Sequence, residues 1–310
     1  MSSVGDACIA ALLGLRQIIM ASRFNSSFLS LPLWSPAKPT KQAIIRRVRA
    51  VFNDQARGER PVMRSPDSLF EPDSVIWKVH GDVITMMVGG TAALMLQMLH
   101  PAVLAGVWDH SNFREDMLGR LRRTARFISL TTFASAEEAR AAIARVRSVH
   151  EEVKGVLPDG TAYSATDPRL LAWVHVTEAL CFLESWTRYG ASPMNASDQD
   201  RYFGEMARIA VALGADPAPR NRSEAEELVR SMHCDLRCDA RTREVARIVM
   251  RQRPDNLLEA SMQAMIADAA VDLLPSWAKQ MHGMTSSALK KPLVRTGTLG
   301  VAKTLRWAFR

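Results

Sequence analysis

The sequence is poor in residues that mark several common classes of protein. It has only three Tyr in 310 residues, and aromatic residues make up 6% of the chain. Aromatic side chains interleaved with basic ones, on which nucleic-acid bases stack, are therefore missing. Despite a net charge of +8, we expect no nucleic-acid partner. A basic chain of this kind has two other uses for its charge, contact with an anionic membrane surface or a solvated basic face.

Cysteine is also scarce. Four cysteines are too few for a disulfide framework in a chain of this length, which indicates a reducing compartment. We therefore expect a cytoplasmic protein, with association with a membrane surface as an option. His233, Cys234 and Cys238 invite comparison with a zinc site, but they lack the CxxC spacing and a fourth nearby ligand. Two inert thiols, one helical turn apart, are the favoured interpretation.

Alternating runs of β-branched residues are almost absent, whereas Ala and Met are plentiful, and this composition predicts an all-α fold. A hydrophobic content of 47% in 310 residues suffices for one large core with appendages. We predict three regions: an N-terminal arm and linker with short helices over residues 1–70, a helical domain over 71–285, and a basic tail over 286–310.

The N-terminal region is predicted to be mostly peripheral. Residues 1–21 favour an amphipathic helix over a secretory signal, because no basic residue precedes the apolar stretch. Residues 25–39 are rich in Ser and Pro and indicate a linker. A short helix with a basic back is predicted over 41–52, and a proline-containing loop over 58–72.

The longest uncharged run extends from Val83 to Leu99 and is close to the length of a membrane span. Gly89 and Gly90 weaken its middle, and His100–Pro101 interrupts its end. Small residues in its centre would let another backbone approach closely. A central core helix is favoured over a span, because amphipathic segments follow.

The segment from Leu118 to Phe133 is predicted to be a helix with one polar stripe. Arg120, Arg123, Thr124 and Phe127 fall on one face, because residues three, four and seven positions apart align. Spacing alone favours a solvated edge, where arginine stems cover the core. The alternative is a polar wall of a buried pocket, able to donate hydrogen bonds to an anionic oxygen species or a carboxylate.

A strong helix is predicted from Ala136 to Val156, with Ser135 as its N-cap and His150 on its inward stripe. A lone His on an apolar face is usually a core residue with satisfied nitrogens, and the residues alone favour that interpretation. An axial haem ligand needs the same setting, a neutral imidazole on a rigid helix that points into an apolar cavity.

The next helix, predicted from Leu170 to Tyr189 with Thr166 or Asp167 as its cap, carries His175 and Glu178 as i, i+3 neighbours. Glu-xx-His dyads on bundle helices bind di-iron centres, but here the order is reversed and no second dyad is evident. Three other histidines are candidates in this block, of which the one preceding Pro101 is interpreted as structural: His80, His100 and His110.

The C-terminal third is less informative. Ser197 is predicted to cap an amphipathic helix that ends at Gly214, and another helix is predicted over 256–274. The segment from 290 to 310 contains six basic residues and no acid. It is interpreted as a membrane-surface helix or a frayed basic end.

In order and rough spacing, several of these segments resemble the rubber oxygenase (latex-clearing protein) and mpaB-type oxygenase family. The resemblance covers roughly the middle two-thirds of the chain. It rests on His100–Pro101, the stretch from His110 to Arg114, Arg120-xx-Arg123-Thr124, His150, and the segment from Tyr163 to Trp173.

The resemblance implies a globin-related helical bundle with one b-type haem, and oxygenase chemistry on isoprenoid double bonds. It implies that His150 holds the iron, with His175 as the rival ligand. It also implies that Arg120 and Thr124, assisted by Arg123, contact the cofactor and polarise dioxygen on the opposite side. Some relatives have Lys where this chain has Arg123, so that role is the least defined.

We therefore expect a haem b-dependent oxygenase that acts with dioxygen on an apolar small molecule, an isoprenoid being one candidate. Two alternatives remain open from the sequence. One is a non-catalytic haem- or lipid-binding protein of the same fold, associated with membrane surfaces. The other is a metal-independent helical interaction protein, which would be favoured if no ligand histidine points inward.

Overall fold

α-Helices make up most of the computed structural model, which describes residues 37–52, 58–250, 257–284 and 290–309, and the prediction of an all-α fold is confirmed. The first helices are α1 (Ala37–Phe52), α2 (Val75–His80), α3 (Val83–Gln97), α4 (Pro101–His110), α5 (Met117–Phe133) and α6 (Ala136–Glu151). A hairpin follows, formed by β1 (Lys154–Val156) and β2 (Ala162–Ser164). The remaining helices are α7 (Pro168–Tyr189), α8 (Ala196–Leu213), α9 (Arg222–Ser231), α10 (Ala240–Met250), α11 (Leu257–Leu273), α12 (Ser276–His282) and α13 (Lys291–Phe309).

The chain divides into two units at Pro39, and all contacts described below lie within Thr40–Arg310. The amphipathic helix predicted for residues 1–21 and most of the linker predicted for 25–39 lie outside the described residues. The loop predicted over 58–72 contains no regular helix or strand, as expected.

The uncharged segment forms α3, which packs against α7, α11 and α13 in the centre of the core. The close approach of α7 depends on Gly89, because a Cβ there would lie 2.7 Å from Phe182 Cδ1 and 2.9 Å from the Cys181 carbonyl oxygen. The prediction that small residues in this segment let another backbone approach closely is therefore confirmed. In the described part of the chain no single helix is long and apolar enough to cross a membrane, whereas α3 and α4 pass that test of length and composition only as a pair bent by 105°.

Side-chain caps set where several helices begin. Asp116 accepts a hydrogen bond from the Gly119 amide at the start of α5, and Ser135 forms a reciprocal capping box with Glu138 at the start of α6. Asp167 caps α7, with Pro168 in the first turn. The prediction of Ser197 as a cap is wrong: the N-cap of α8 is Asn195, whose side chain accepts a hydrogen bond from the Asp198 amide.

The helix that carries His150 ends earlier than predicted. α6 stops at Glu151 rather than Val156, and the chain turns into the antiparallel hairpin, in which Gly155 is opposite Tyr163. A Cβ at Gly155 would come within 2.7 Å of the Tyr163 hydroxyl, so the glycine makes room for this ring. The contact between β1 and β2 therefore overrides the local helical period, and His150 lies in the last turn of α6.

The basic C-terminal segment is not frayed. α13 packs on α3, α7 and α11, and Arg306 forms an ion pair with the buried Asp82, 2.5 Å between Nε and Oδ2. Arg306 also donates to the Tyr189 carbonyl. Arg295 of the same helix contacts the buried Asp272. Two basic residues of this segment thus neutralise acids of the helical core.

The prediction that Cys234 and Cys238 lie one turn apart on a helix is wrong. His233–Asp235 is a single 3₁₀ turn, and Cys238 lies in the loop before α10. Among the described residues no group of three or more His, Cys, Asp or Glu side chains is arranged to hold a metal ion. The disfavoured zinc interpretation gains no support from the geometry.

Candidate functional site

The candidate site lies where α6 and α7 face each other without close packing. α6 packs against α5 and α8, and α7 packs against α3, α8 and α9, but α6 and α7 are not in close contact. His150 and His175 are carried by these two helices, and both side chains are half-buried. Polar side chains of α6 and α7 are therefore not covered by close packing of one of these helices on the other.

His150 and His175 are close enough for the charge of His150 to act on His175. Burial and the neighbouring His150 imidazole lower the pKa of His175 to about 4, and burial lowers the pKa of His150. Both rings are therefore neutral at pH 7, each with a lone pair free to bind a donor or a metal. The residue predicted as the ligand and the residue predicted as its rival are thus neighbours in one site.

Neither ring is held by a hydrogen bond in the described structure. The Nδ1 atoms of His150 and His175 are both buried without a partner. A metal-ligating His usually donates its second N–H to a carbonyl or carboxylate, which fixes the ring orientation. Such an orienting contact is absent at both residues among the described side chains, and a buried nitrogen with no partner is costly.

Glu178 follows His175 by one turn of α7 and also lacks a partner. Its carboxylate forms no hydrogen bond or ion pair within the described residues, and burial raises its pKa to about 7. Burial, together with the negative charge of Glu178, raises the pKa of Tyr202 of α8, so the two side chains are near each other. Glu178 is therefore close to half-protonated at neutral pH.

Behind Glu178 lies a fully paired polar chain. The Tyr202 hydroxyl lies 3.2 Å from His80 Nε2, and His80 Nδ1 lies 2.8 Å from the Thr132 hydroxyl. Burial lowers the pKa of His80 to about 3, so its ring stays neutral and donates at one nitrogen while accepting at the other. His80, one of the candidate histidines, is thus a core residue with satisfied nitrogens.

Arg120 is the most enclosed of the three residues predicted on α5. Burial, with the nearby Arg123, lowers its pKa to about 10, and its Nη1 donates to the Ser111 hydroxyl over 3.2 Å. It remains charged at neutral pH. A guanidinium in this setting can stabilise negative charge far more strongly than one in water.

The other two residues of that stripe differ from Arg120. Arg123 is exposed and contacts Asp116, 3.6 Å between Nη1 and Oδ2, and Asn112. Thr124 is exposed, and its hydroxyl donates to the Arg120 carbonyl over 3.2 Å. Their polar groups are therefore already engaged near their own helix.

The remaining candidate histidines are structural. His100 caps α4 by accepting from the Ala102 amide, as predicted, and His110 donates to the Lys154 carbonyl and joins α4 to β1. Tyr202 is the residue of this region that the sequence did not suggest. Its signal was available, since it is one of three Tyr in the chain, on the inward face of an amphipathic helix.

Comparison with curated proteins and with solved structures gives no match. Residues 77–307 match the family described as "ER-bound oxygenase mpaB/B'/Rubber oxygenase, catalytic domain". The matched segment begins at α2, includes α3 to α12, and extends into the last turn of α13, so it contains every residue of the candidate site. The match covers well over half of the chain, which therefore belongs to the mpaB/rubber oxygenase family of oxygenase catalytic domains.

Proposed function

We propose that the protein is a haem b-dependent oxygenase that acts with dioxygen on an apolar substrate, of isoprenoid type. The observation that carries the proposal is the pair of neutral, unpartnered imidazoles of His150 and His175 in one interior site. Imidazole nitrogen on a helix is a usual axial ligand of haem iron. Family membership supports the oxygenase part of the proposal.

The donor set fits a b-type haem better than a metal ion held by protein alone. One imidazole suffices for haem iron, whereas a protein-only site needs three or more ligands, and no such group occurs among the described residues. Haem, when bound, would supply the iron chemistry that activates dioxygen. We assign His150 as the ligand, with His175 beside it.

The chain's own contribution is to orient and to hold charge. Arg120 brings a permanent positive charge to the interior, and its contact with Ser111 limits the orientations of the guanidinium. Preorganised donors of this kind stabilise negative charge that develops during a reaction. Thr124 and Arg123 are proposed as assisting groups on the same stripe, Thr124 through its bond to the Arg120 carbonyl.

A second candidate is a non-catalytic haem- or lipid-binding protein of the same globin-related bundle. It is favoured by one observation, that Arg123 and Thr124 are exposed and that their polar groups have partners on or near α5. In that case Arg120 alone would meet a bound molecule, as a fixed charge rather than as part of a catalytic set.

The absorption spectrum of the purified full chain tests the proposal. We expect a Soret band and about one haem per chain, followed by dioxygen uptake when an isoprenoid alkene is added. A Soret band without dioxygen uptake would favour the non-catalytic candidate. A protein that is colourless when made with excess haem, and stays colourless on haem addition, would overturn the haem assignment.

A further inference from the structure

Half-buried Glu178 differs from the buried acids Asp82 and Asp272. Asp82 is paired with Arg306, and Asp272 accepts from both Arg188 and Arg295. Glu178 is half-buried, one turn from His175 and close to Tyr202, with no hydrogen bond or ion pair in the described residues. Carboxylates enclosed by protein are normally paired, so Glu178 is open to a partner that the described protein groups do not supply.

The missing partner is not supplied by the neighbouring protein groups. The Tyr202 hydroxyl, one of the groups whose pKa responds to the charge of Glu178, is already 3.2 Å from His80 Nε2. The carboxylate oxygens of Glu178 are also not sealed against protein atoms, unlike Nδ1 of His150 and His175. They are therefore accessible to water or to a bound molecule.

A ligand that covers a carboxylate without giving it a hydrogen bond binds at a cost in free energy. A pure hydrocarbon that filled this space would remove water from Glu178 and offer nothing in return. A hydroxyl or an ammonium group would donate to the carboxylate and remove that cost. Sites with a fixed partner for a polar substrate group discriminate strongly against analogues that lack it.

We propose that Glu178 binds a hydrogen-bond-donating head group, a hydroxyl or an amine, of an otherwise apolar ligand. The ligand is then a functionalised lipid-like molecule and not a plain hydrocarbon. This inference rests on the proposed function for its location in the oxygenase site, but the binding preference itself does not require haem. A pKa near 7 for Glu178 agrees with a carboxylate that lacks its partner in the free protein.

The test compares three probes with one C15 isoprenoid skeleton: farnesol, farnesylamine and farnesyl methyl ether. The ether keeps the chain and the oxygen acceptor but has no donor. Binding to the full chain is followed by tryptophan fluorescence, since Trp173 is buried two residues before His175. We expect the alcohol, the amine or both to bind about 10- to 100-fold more tightly than the ether, as for a hydrogen bond to a charged group. Whichever of the alcohol and the amine binds more tightly identifies the preferred head group.

Variants at one position then assign the preference to Glu178. Glu178→Leu should bind the ether as tightly as the alcohol and the amine, with a Tm no lower than the parent. Glu178→Gln keeps the shape and should fold in any case, with the amine preference lost and the alcohol preference reduced at least severalfold. Glu184→Gln, on the same helix but paired with Arg222, is the matched control and should keep the parent's preference.

Two results would overturn the inference: equal binding of all three probes by the parent protein, or an unchanged preference in Glu178→Gln. The spectrum separates this inference from the proposed function. A donor preference without a Soret band keeps Glu178 as a ligand-binding residue and removes only the haem assignment. A Soret band with no donor preference removes only the role of Glu178.

Discussion

His150 adds to the effect of burial on His175, since the charge of the His150 imidazole lowers the pKa of His175. The two residues lie on different helices that do not pack closely on each other, so the repulsion acts across the candidate site. A neutral imidazole can bind a metal without losing a proton. Two such imidazoles in one site bind more strongly than either alone.

Substitution of each histidine should separate their roles. His150→Ala should lose haem or convert its spectrum to that of a weakly ligated form, whereas His175→Ala should keep the parent spectrum. In the haem-free protein, His150→Ala should raise the pKa of His175, because a like charge has been removed, and NMR titration measures this directly. If His175→Ala strips the haem and His150→Ala does not, the iron belongs to α7.

Arg120 should matter more than the other two residues of its stripe. Arg120→Ala removes an enclosed charge and should lower kcat by about 10²–10³, the usual loss for one preorganised donor, with haem content near that of the parent. Thr124→Val and Arg123→Ala should have smaller effects, since both residues are exposed. Steady-state turnover with an isoprenoid alkene, normalised to haem, is the measurement.

Arg145 provides a control for the loss of a positive charge, because it is exposed on α6 with no ion pair among the described residues. Arg145→Ala should leave turnover unchanged. An Arg120→Ala protein that loses its haem or unfolds would indicate that Arg120 holds the cofactor or the fold and not the reaction. Equal turnover in all four variants would show that the stripe is only a solvated edge.

The sequence predicted the helices well where local chemistry decides them. Ser135 with Glu138, and Asp167 with Pro168, give the starts of α6 and α7 to within a few residues. The end of α6 was wrong because the apolar period continues through residues that form β1. The pairing of β1 with β2, with the ring of Tyr163 against Gly155, is a contact between segments that the helical period does not encode.

The candidate site could be predicted one residue at a time but not as an arrangement. His150, His175 and Arg120 were each identified from motif or spacing. The distance between His150 and His175 depends on the position of α6 relative to α7. That position is set by the packing of α6 on α5 and α8, and no single helix encodes it. Glu178 was considered only as half of a metal dyad. Its lack of a partner is a property of the folded protein.

Glu178 should make stability depend on pH in a direction opposite to the usual acid. Its pKa is raised from 4.5 to about 7 in the folded protein, so the folded state holds its proton to higher pH than the unfolded state. The stabilising contribution is therefore present below pH 4.5 and is lost as the pH rises through 7. Glu178→Gln should exceed the parent in stability at pH 8, by up to about 3 kcal/mol, and gain little at pH 5.

Urea unfolding at the two pH values measures this difference. The pKa values of His80 and His175 are lowered in the folded protein, so the folded state loses stability as the pH falls below 6.5. This loss is the same in the parent and the variant and cancels in the comparison. A Glu178→Gln protein that is less stable than the parent at pH 8 would mean that the carboxylate has a stabilising partner in solution.

Gly89 and Gly90 should respond in opposite directions to the same change. Gly89→Ala places a Cβ against the backbone and ring of Phe182, with contacts of 2.7 to 3.0 Å, and should cost about 1–3 kcal/mol or more. Gly90→Ala meets only ordinary contact at 3.6 Å and should gain up to about 1 kcal/mol from helix propensity. Chemical unfolding of both variants is the check, and equal effects would contradict the close packing of α3 on α7.

During synthesis, Asp82 leaves the ribosome 224 residues before Arg306. At roughly 5–20 residues per second, the carboxylate at the start of α3 lacks its ion-pair partner for about 10 to 45 seconds. In that interval α3, the most apolar helix of the core, also lacks α11 and α13 and remains partly uncovered. The nascent chain therefore exposes its central helix until the last helix has emerged, which makes it a substrate for chaperones that bind apolar segments.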